Sequence, residues 1–205
     1  MFIQRRDLIA GLSALTAAGV LPASQAKSLV ARDRSRSIAY VPAAHLPEDE
    51  HAIHRGHMSK AIDLAETVTF PFGAVIVDRT TQQIVAQGAN AGAENPIFHG
   101  EIMAIINCAK ANPKVAWEDL TIYSSGEPCP MCQCAIIWTG MAEAVYGTSV
   151  HTLSEMGVNQ IKLDSPTVAA AATFYSGRIV GGVLKERADA MYQKWADTFD
   201  RPSGG

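Results

Sequence analysis

The sequence predicts an α/β layer sandwich. Apolar runs typical of strands alternate with helical patterns along most of the chain, which indicates a sheet covered by helices. The first two strand runs follow each other directly and predict an antiparallel hairpin, whereas helices separate the later strands and predict mainly parallel pairing. The chain has 205 residues, of which 48% are hydrophobic and 18% charged, so it can bury the core of one domain.

The individual elements follow from periodicity and from turn signals. A helix is predicted over 47–68, because small and apolar residues recur there at helical spacing and acidic residues stand at its N-terminal end. The β-branched run 72–78 and the run 83–89 flank a turn-prone segment and predict the hairpin. The later predicted elements are helices at 98–111, 130–140, 151–156, 166–174 and 185–199, and strands at 120–125, 142–148 and 178–183.

Residues 1–26 have the pattern of an export signal. Arg5 and Arg6 precede an apolar stretch at 8–20, and small residues at its end suit cleavage. This stretch of 13 residues is too short to span a bilayer, which needs ~20. Paired arginines are typical of twin-arginine signals, so we expect a periplasmic protein without stable membrane anchoring after the signal is removed. An ordinary secretory signal and a retained N-terminal helix are the alternatives.

The rest of the chain divides into three parts. Residues 27–46 lack clear periodicity and are predicted to be a linker or arm, 47–199 are the folded domain, and 200–205 are a tail. The net charge is −3, and it becomes −4 without residues 1–26, since that segment carries two arginines and one aspartate. No long basic run is present, which argues against a protein built mainly to grip nucleic acid.

A pair of cysteines and an upstream histidine predict a metal site. Cys129 and Cys132 stand three residues apart where a predicted strand gives way to a helix, a position that favours thiolates and places both on one side of the first turn. His99 opens the preceding helix and offers the nitrogen that zinc commonly takes, while Glu101 is not needed as a ligand. Three protein ligands leave a fourth position open, as catalytic zinc sites do.

Two other interpretations of these residues remain open. A pair of cysteines with this spacing at a strand-to-helix junction also occurs in thioredoxin-like redox proteins. A structural zinc site is the other alternative, with Cys108 or Cys134 as the fourth ligand. Because Cys134 faces away from Cys132 on a helix, and Cys108 lies late in its helix, we expect both to be core thiols.

Histidines 51, 54 and 57 are candidates for a second metal. His51 and His54 share a side of the first predicted helix with apolar residues. They are therefore expected to be packed or interface histidines. Glu127, directly before Pro128, is expected to bond nearby backbone rather than substrate.

The motif His99-x-Glu101, together with Pro128-Cys129-x-x-Cys132, resembles the signature of the zinc-dependent cytidine/deoxycytidylate deaminase superfamily. Further segments are similar to the guanine deaminase and tRNA adenosine deaminase branch: 71–77, 88–90, 127–132, and 135–136 with Trp138. The Gly between His99 and Glu101 is also similar to cytosine deaminases. The resemblance covers about residues 48–199, so 47–199 would be a deaminase domain.

The resemblance implies a fold, a cofactor and roles for residues. The fold would be a three-layer α/β/α sandwich with a mixed sheet of about five strands, and the chain would form a homodimer. One Zn²⁺ per chain would be held by His99, Cys129 and Cys132, with Glu101 moving a proton from the attacking water to the substrate and then to the leaving amine. The substrate-binding residues would be Asn90, a main-chain N–H near Cys129, and a pocket shaped by Phe72, Trp138 and the segment 148–160.

The implied reaction is hydrolytic deamination of a free nucleobase or nucleoside with release of ammonia. An aminopurine such as guanine or guanosine is slightly favoured over cytosine. Guanine deaminases carry an acidic residue after a Gly-Phe turn, but the segment 156–160 has none here, and Glu155 is the nearest substitute. A tRNA adenosine deaminase is the alternative, although a basic surface would then be expected. A thiol redox protein and a non-catalytic zinc module are the others.

Export bears on the state of the thiols. Two free thiols in an oxidising periplasm could form a disulfide before they bind a metal. Twin-arginine export avoids this, because the chain folds and takes up zinc in the cytosol first. We therefore predict no disulfide between Cys129 and Cys132.

Overall fold

The computed structural model describes residues 39–198, which form one mixed six-stranded sheet with helices on both faces. The strands are β1 (Ala39–Pro42), β2 (Gly73–Asp78), β3 (Ile84–Ala89), β4 (Leu120–Gly126), β5 (Glu143–Thr148) and β6 (Arg178–Gly181). The helices are α1 (Glu48–Ala65), α2 (Gly100–Ala111), α3 (Pro130–Thr139), α4 (Val150–Glu155), α5 (Ser165–Ala170) and α6 (Lys185–Ala196). Short 3₁₀ turns lie at Ala43–His45 and Trp117–Asp119. Within 39–198, no helix combines the length and apolar character needed to cross a membrane.

The strand order is β1-β6-β5-β4-β2-β3. The predicted hairpin is confirmed, because β2 pairs antiparallel with β3, and β2 also pairs antiparallel with β4. From β4 through β5 and β6 to β1 every pairing is parallel, as the intervening helices predicted. The layered α/β class and the mixed sheet are therefore confirmed.

Strand β1 shows that part of the predicted linker or arm at 27–46 has regular structure. Residues 39–42 pair in parallel with β6, Ala39 opposite Arg178, and this adds a sixth strand to the expected five or so. A four-residue strand is too short to show periodicity in sequence, and its partner lies near the other end of the chain. The predictions for residues 1–26, 27–38 and 199–205 fall outside the described residues.

The two faces of the sheet bury separate apolar layers. In β2, Val75 and Val77 belong to the cluster that includes residues of α1 and α6. Their neighbours Ala74 and Ile76 belong to the cluster that includes residues of α2 and α3. Both faces are covered, which is why the strand is continuously apolar rather than alternating with polar residues. Cys108 lies in the second cluster and is buried, as predicted.

His54 of α1 packs at the end of the sheet where β5 and β6 begin. His54 is buried, with Nδ1 3.0 Å from the Tyr123 hydroxyl and Nε2 3.5 Å from Glu50. Burial lowers its pKa, against the neighbouring carboxylates. Arg178 lies between Glu50 (2.5 Å) and Glu143 (3.5 Å), so its single positive charge is shared by the two carboxylates. The cluster is thus an ion-pair network that the arginine completes, and His54 is packed as expected.

Helix α2 approaches the sheet closely at Gly88 of β3. A Cβ at this position would lie 2.2 Å from the Ala104 amide nitrogen and 2.5 Å from the Gly100 carbonyl oxygen. Both are backbone atoms, so the helix itself would have to move. We expect Gly88→Ala to lower the free energy of unfolding by roughly 3 kcal/mol, measured by denaturant unfolding.

Gly56 is the matched control. It is exposed in α1, and a Cβ there meets nothing within 4 Å. Gly56→Ala should raise the free energy of unfolding by about 0.5–1 kcal/mol through helix propensity. Equal effects of the two substitutions would show that the close approach at Gly88 is not a constraint.

Candidate metal centre and active site

The proposed metal ligands stand at the starts of two helices. His99 is the residue before α2 and Cys129 the residue before α3, and neither side chain makes a capping hydrogen bond to its own helix. Cys132 lies in the first turn of α3. The sulfurs of Cys129 and Cys132 are each 3.6 Å from Nδ1 of His99. Residues thirty positions apart in sequence are therefore brought to one point.

These three donors fit tetrahedral zinc. With Zn–S bonds of ~2.3 Å and Zn–N bonds of ~2.0–2.1 Å, tetrahedral angles place a nitrogen and a sulfur about 3.6 Å apart. The observed distances match that value. Both cysteines are free thiols, so the donors are chemically competent.

The remaining cysteines do not complete the cluster. Cys108 is buried in the core. Among residues 39–198, the group of possible metal donors around Cys129 and Cys132 contains one further residue, His99. Cys134 is exposed, so the prediction of a core thiol is wrong. Helix α3 turns Cys132 and Ile136 inward and leaves its opposite side, with Cys134, at the surface.

The two thiols differ in acidity. The hydrogen bond from Cys132, followed by that from His99, lowers the pKa of Cys129 to about 4 against the effect of burial. The same hydrogen bond to Cys129, together with burial, raises the pKa of Cys132. The Cys129 thiolate in turn raises the pKa of His99. Cys129 is therefore the first of the two to carry the negative charge that a soft divalent metal requires.

Glu101 lies in the first turn of α2 and reaches the same cavity as His99 and Cys129. It is 4% exposed, and burial raises the pKa of its carboxyl, while a hydrogen bond with Ser124 acts in the opposite direction. A raised pKa makes a carboxyl a better proton acceptor than an exposed one, and the protonated form can pass the proton on. This is the property that a proton shuttle needs.

A cavity of about 500 Å³ opens over these residues. Its walls combine an aromatic group with three neutral amides and the residues of the metal centre. The lining residues are Phe70, Phe72, Asn90, His99, Glu101, Glu127, Cys129, Met156, Gly157, Val158, Asn159, Gln160, Trp195 and Ala196. The structure thus brings Asn90, Phe72, His99, Glu101 and Cys129 to one cavity.

The amide of Asn90 has a fixed orientation. Its Oδ1 accepts a hydrogen bond from the Gly92 N–H at 2.9 Å, and the backbone N–H of Asn90 donates to the Phe72 carbonyl at 2.8 Å. The Nδ2 group is therefore the part of the side chain that can donate to a bound ring. This geometry suits an acceptor atom on the substrate.

Glu127 holds the loop that leads to Cys129. Its carboxylate accepts hydrogen bonds from the backbone N–H groups of Val150 (2.8 Å) and Ser165 (2.7 Å). The Ser165 hydroxyl donates to the carbonyl of Pro128 at 3.0 Å. The prediction that Glu127 bonds backbone is confirmed. Burial raises the pKa of this carboxyl, and the two backbone hydrogen bonds oppose that effect.

Two residues predicted for the pocket lie elsewhere. Trp138 is 77% exposed on the outer side of α3, where its ring lies 5.0 Å from that of Phe174, so it does not line the cavity. The reason is its position one turn after Cys134 on the same outward side of the helix. Glu155 pairs with His151 at 3.1 Å on the surface and does not substitute for the missing acid.

Sequence reasoning missed one wall of the cavity. Trp195 lines the cavity together with Phe70. It lies in α6, three residues after the fully buried Tyr192. The helical pattern of α6 predicts an inward side but not which site that side reaches.

The comparisons with known proteins agree with this site. The family model for the "cytidine and deoxycytidylate deaminase zinc-binding region" matches residues 51–148. A tRNA-specific adenosine deaminase of Rickettsia felis is 33% identical over 127 residues, covering 61% of this chain and 85% of that protein. A guanine deaminase of Bacillus subtilis is 32% identical over 134 residues, covering 60% and 84%.

Solved structures show the same fold. A structure of guanine deaminase from Nitrosomonas europaea superposes with a TM-score of 0.62 at 18% identity, covering 70% of this chain and 84% of that one. Another, solved with 2,6-diaminopurine, has a TM-score of 0.64 at 19% identity and covers 74% and 85%. The sequence relatives, the matched region and the ligand geometry lead to one conclusion: the chain belongs to the cytidine and deoxycytidylate deaminase zinc-binding family.

Proposed function

We propose that this chain is a zinc-dependent hydrolytic deaminase of a neutral nucleobase or nucleoside, with an aminopurine favoured over cytosine. One observation supports this proposal most. The donor atoms of His99, Cys129 and Cys132 lie as far apart as the ligands of a tetrahedral zinc ion do, beside the buried carboxyl of Glu101. Family membership makes a hydrolytic deaminase the general expectation. The substrate and the individual roles are the proposal.

In this proposal one zinc ion is held by Nδ1 of His99 and by the sulfurs of Cys129 and Cys132. When bound, zinc supplies a Lewis acid that makes water a stronger nucleophile at neutral pH. Glu101 takes a proton from the attacking water and delivers it to a ring nitrogen. It then takes the remaining proton from the hydroxyl group now on the ring carbon and transfers it to the amine as the carbon–nitrogen bond breaks. Water is consumed, ammonia leaves, and the ring keeps the oxygen as a carbonyl.

The charges of the cavity support a neutral substrate. Glu101 and Glu127 are its acidic lining residues, and no lysine or arginine lines it within residues 39–198. A phosphate would meet carboxylates rather than cations, which disfavours nucleotides and RNA. The Rickettsia relative favours the alternative of a tRNA adenosine deaminase, but the described lining of this cavity offers no cationic side chain to bind RNA phosphates.

The size and walls of the cavity support a bicyclic base. A volume of about 500 Å³ exceeds what a pyrimidine needs, and three aromatic residues line it. A guanine deaminase is among the relatives, and a protein of the same fold has been solved with 2,6-diaminopurine. These observations favour an aminopurine.

The role of Glu101 is tested by Glu101→Gln. The amide has nearly the same shape but cannot exchange protons, so the rate of ammonia release should fall by about 10²–10⁴-fold. Zinc content, measured by elemental analysis, should remain one per chain because Glu101 is not a ligand. A panel of guanine, guanosine, adenine, adenosine, cytosine and cytidine gives the activity readout.

Two cysteine variants serve as controls for this test. Cys132→Ser should lose both zinc and activity, whereas Cys134→Ser should keep both, because Cys134 lies outside the donor cluster. Unchanged activity in Glu101→Gln would exclude the proton-shuttle role. Native protein without metal and with a Cys129–Cys132 disulfide would favour the redox alternative.

We also propose that the chain forms a homodimer through the outer surface of α3 and the segment after α5 that carries Phe174. Trp138 is 77% and Phe174 54% exposed, and their rings contact each other beside the exposed Cys134. An exposed aromatic pair of this kind is typical of an interface.

Trp138→Glu should convert the dimer to a monomer in sedimentation velocity, with the α-helical circular dichroism signal unchanged. A wild-type monomer, or a dimer that tolerates the charge, would contradict the assignment.

We propose further that the protein is exported to the periplasm by the twin-arginine route. Arg5 and Arg6 support this, and so does the need to load Cys129 and Cys132 with metal before they meet an oxidising compartment. Replacing both arginines by lysine should leave the protein in the cytoplasmic fraction. Periplasmic protein from the double variant would exclude this route.

A further inference from the structure

Half of the residues that line the cavity lie outside the region that the family model matches. The model of the family ends at residue 148, and it includes every residue that we place in the chemistry. The rest of the lining comes from the segment 156–160 and from Trp195 and Ala196 in α6. The proposed reacting groups therefore lie in the matched region, whereas the cavity wall is built by residues from both parts of the chain.

Trp195 belongs to a fixed aromatic wall. Its ring lies 6.1 Å from that of Phe72 at 87°, and 5.6 Å from that of Phe70 at 66°. Both arrangements are edge-to-face, the geometry that aromatic rings favour. The three rings thus form one continuous apolar surface beside the metal ligands.

The helix that carries Trp195 is anchored under the site. Tyr192 is fully buried, its ring lies 4.9 Å from that of Phe72, and its hydroxyl is 2.7 Å from Oγ of Ser125. Ser125 in turn accepts a hydrogen bond from the Gly73 N–H at 3.1 Å. The anchor connects α6 to β4 and β2, so the position of Trp195 relative to the metal centre is set by the core. A wall held in this way can select by shape.

Among the lining residues after position 148, the polar side chains are the amides of Asn159 and Gln160. Glu127, the nearest carboxylate besides Glu101, already accepts two backbone hydrogen bonds. Asn159 and Gln160 are therefore the candidates for polar contacts with a substrate, and a side-chain amide can both donate and accept a hydrogen bond. Gln160 is half-buried whereas Asn159 is exposed, so Gln160 is better placed to exclude water from a contact with the ring. A neutral ring with an adjacent N–H and C=O matches an amide on both counts.

We infer that Trp195 and Gln160 determine which ring this enzyme accepts: Trp195 covers the second ring of a bicyclic amino heterocycle, and Gln160 pairs with the neutral lactam edge. The inference rests on the proposed deaminase function and extends it. Asn90 and Glu101 contact the ring near the reacting carbon whatever the substrate, so they do not discriminate between one ring and two.

The first test compares Trp195→Ala with Trp195→Phe in the zinc-loaded full chain. Trp195→Ala should lower kcat/KM for guanine by about tenfold, mainly through a higher KM, and change kcat/KM for cytosine by less than about threefold. Trp195→Phe should retain most of the preference. Gln193→Ala is the matched control, because Gln193 lies on the exposed side of α6 and outside the cavity. Equal losses for guanine and cytosine would overturn the role of Trp195.

The second test uses Gln160→Leu with guanine and 2-aminopurine, which carry the same 2-amino group but differ in the lactam edge. The variant should lower kcat/KM for guanine by about tenfold and leave 2-aminopurine nearly unchanged. Equal changes for the two bases would overturn the role of Gln160.

A binding readout separates this inference from the proposed function. Glu101→Gln should bind 2-aminopurine, detected by quenching of the base's own fluorescence, and Trp195→Ala in that background should weaken the binding by about tenfold. If the wild type releases no ammonia but this binding pattern holds, the deaminase proposal fails and the recognition surface stands. If neither variant binds 2-aminopurine, the inference fails even where cytosine is deaminated.

Discussion

Two helices that begin at the same side of the sheet create the reactive centre. The sequence separates His99 from Cys129 by thirty residues, and the starts of α2 and α3 bring their donor atoms to 3.6 Å. The positive ends of both helices favour the thiolate of Cys129 and the carboxylate of Glu101. Close packing of α2 on β3, made possible by Gly88, sets the position of His99 and Glu101. If that packing shifts, the ligands separate and the chemistry is lost.

The cavity is lined partly by the region that matches the family model and partly by residues that follow it. Residues 51–148 match the family model and contain the metal ligands, Glu101 and Asn90. The segment after residue 148 contributes the loop 156–160 and Trp195 to the same cavity. The lack of a free acidic group in this wall distinguishes it from the guanine deaminase pattern.

Most of the fold could be predicted because its elements have strong local signals. The hairpin, the parallel strands and the helices α2 and α3 follow from periodicity, and the cluster of His99, Cys129 and Cys132 from residue type and spacing. Strand β1 could not be predicted, since four residues carry no period and depend on β6 for pairing. Nor could the environments of Cys134, Trp138 and Trp195, because a helix pattern does not tell which neighbour, if any, covers each side.

X-ray absorption at the zinc edge of the purified full chain tests the central claim most directly, because it reports the atoms bound to the metal. Our account predicts two sulfur ligands at ~2.3 Å, one imidazole nitrogen at ~2.0–2.1 Å, and a further light atom from solvent. A shell of three or four sulfurs would show that another cysteine closes the site and that it is structural. A spectrum without sulfur would contradict the proposed ligands altogether.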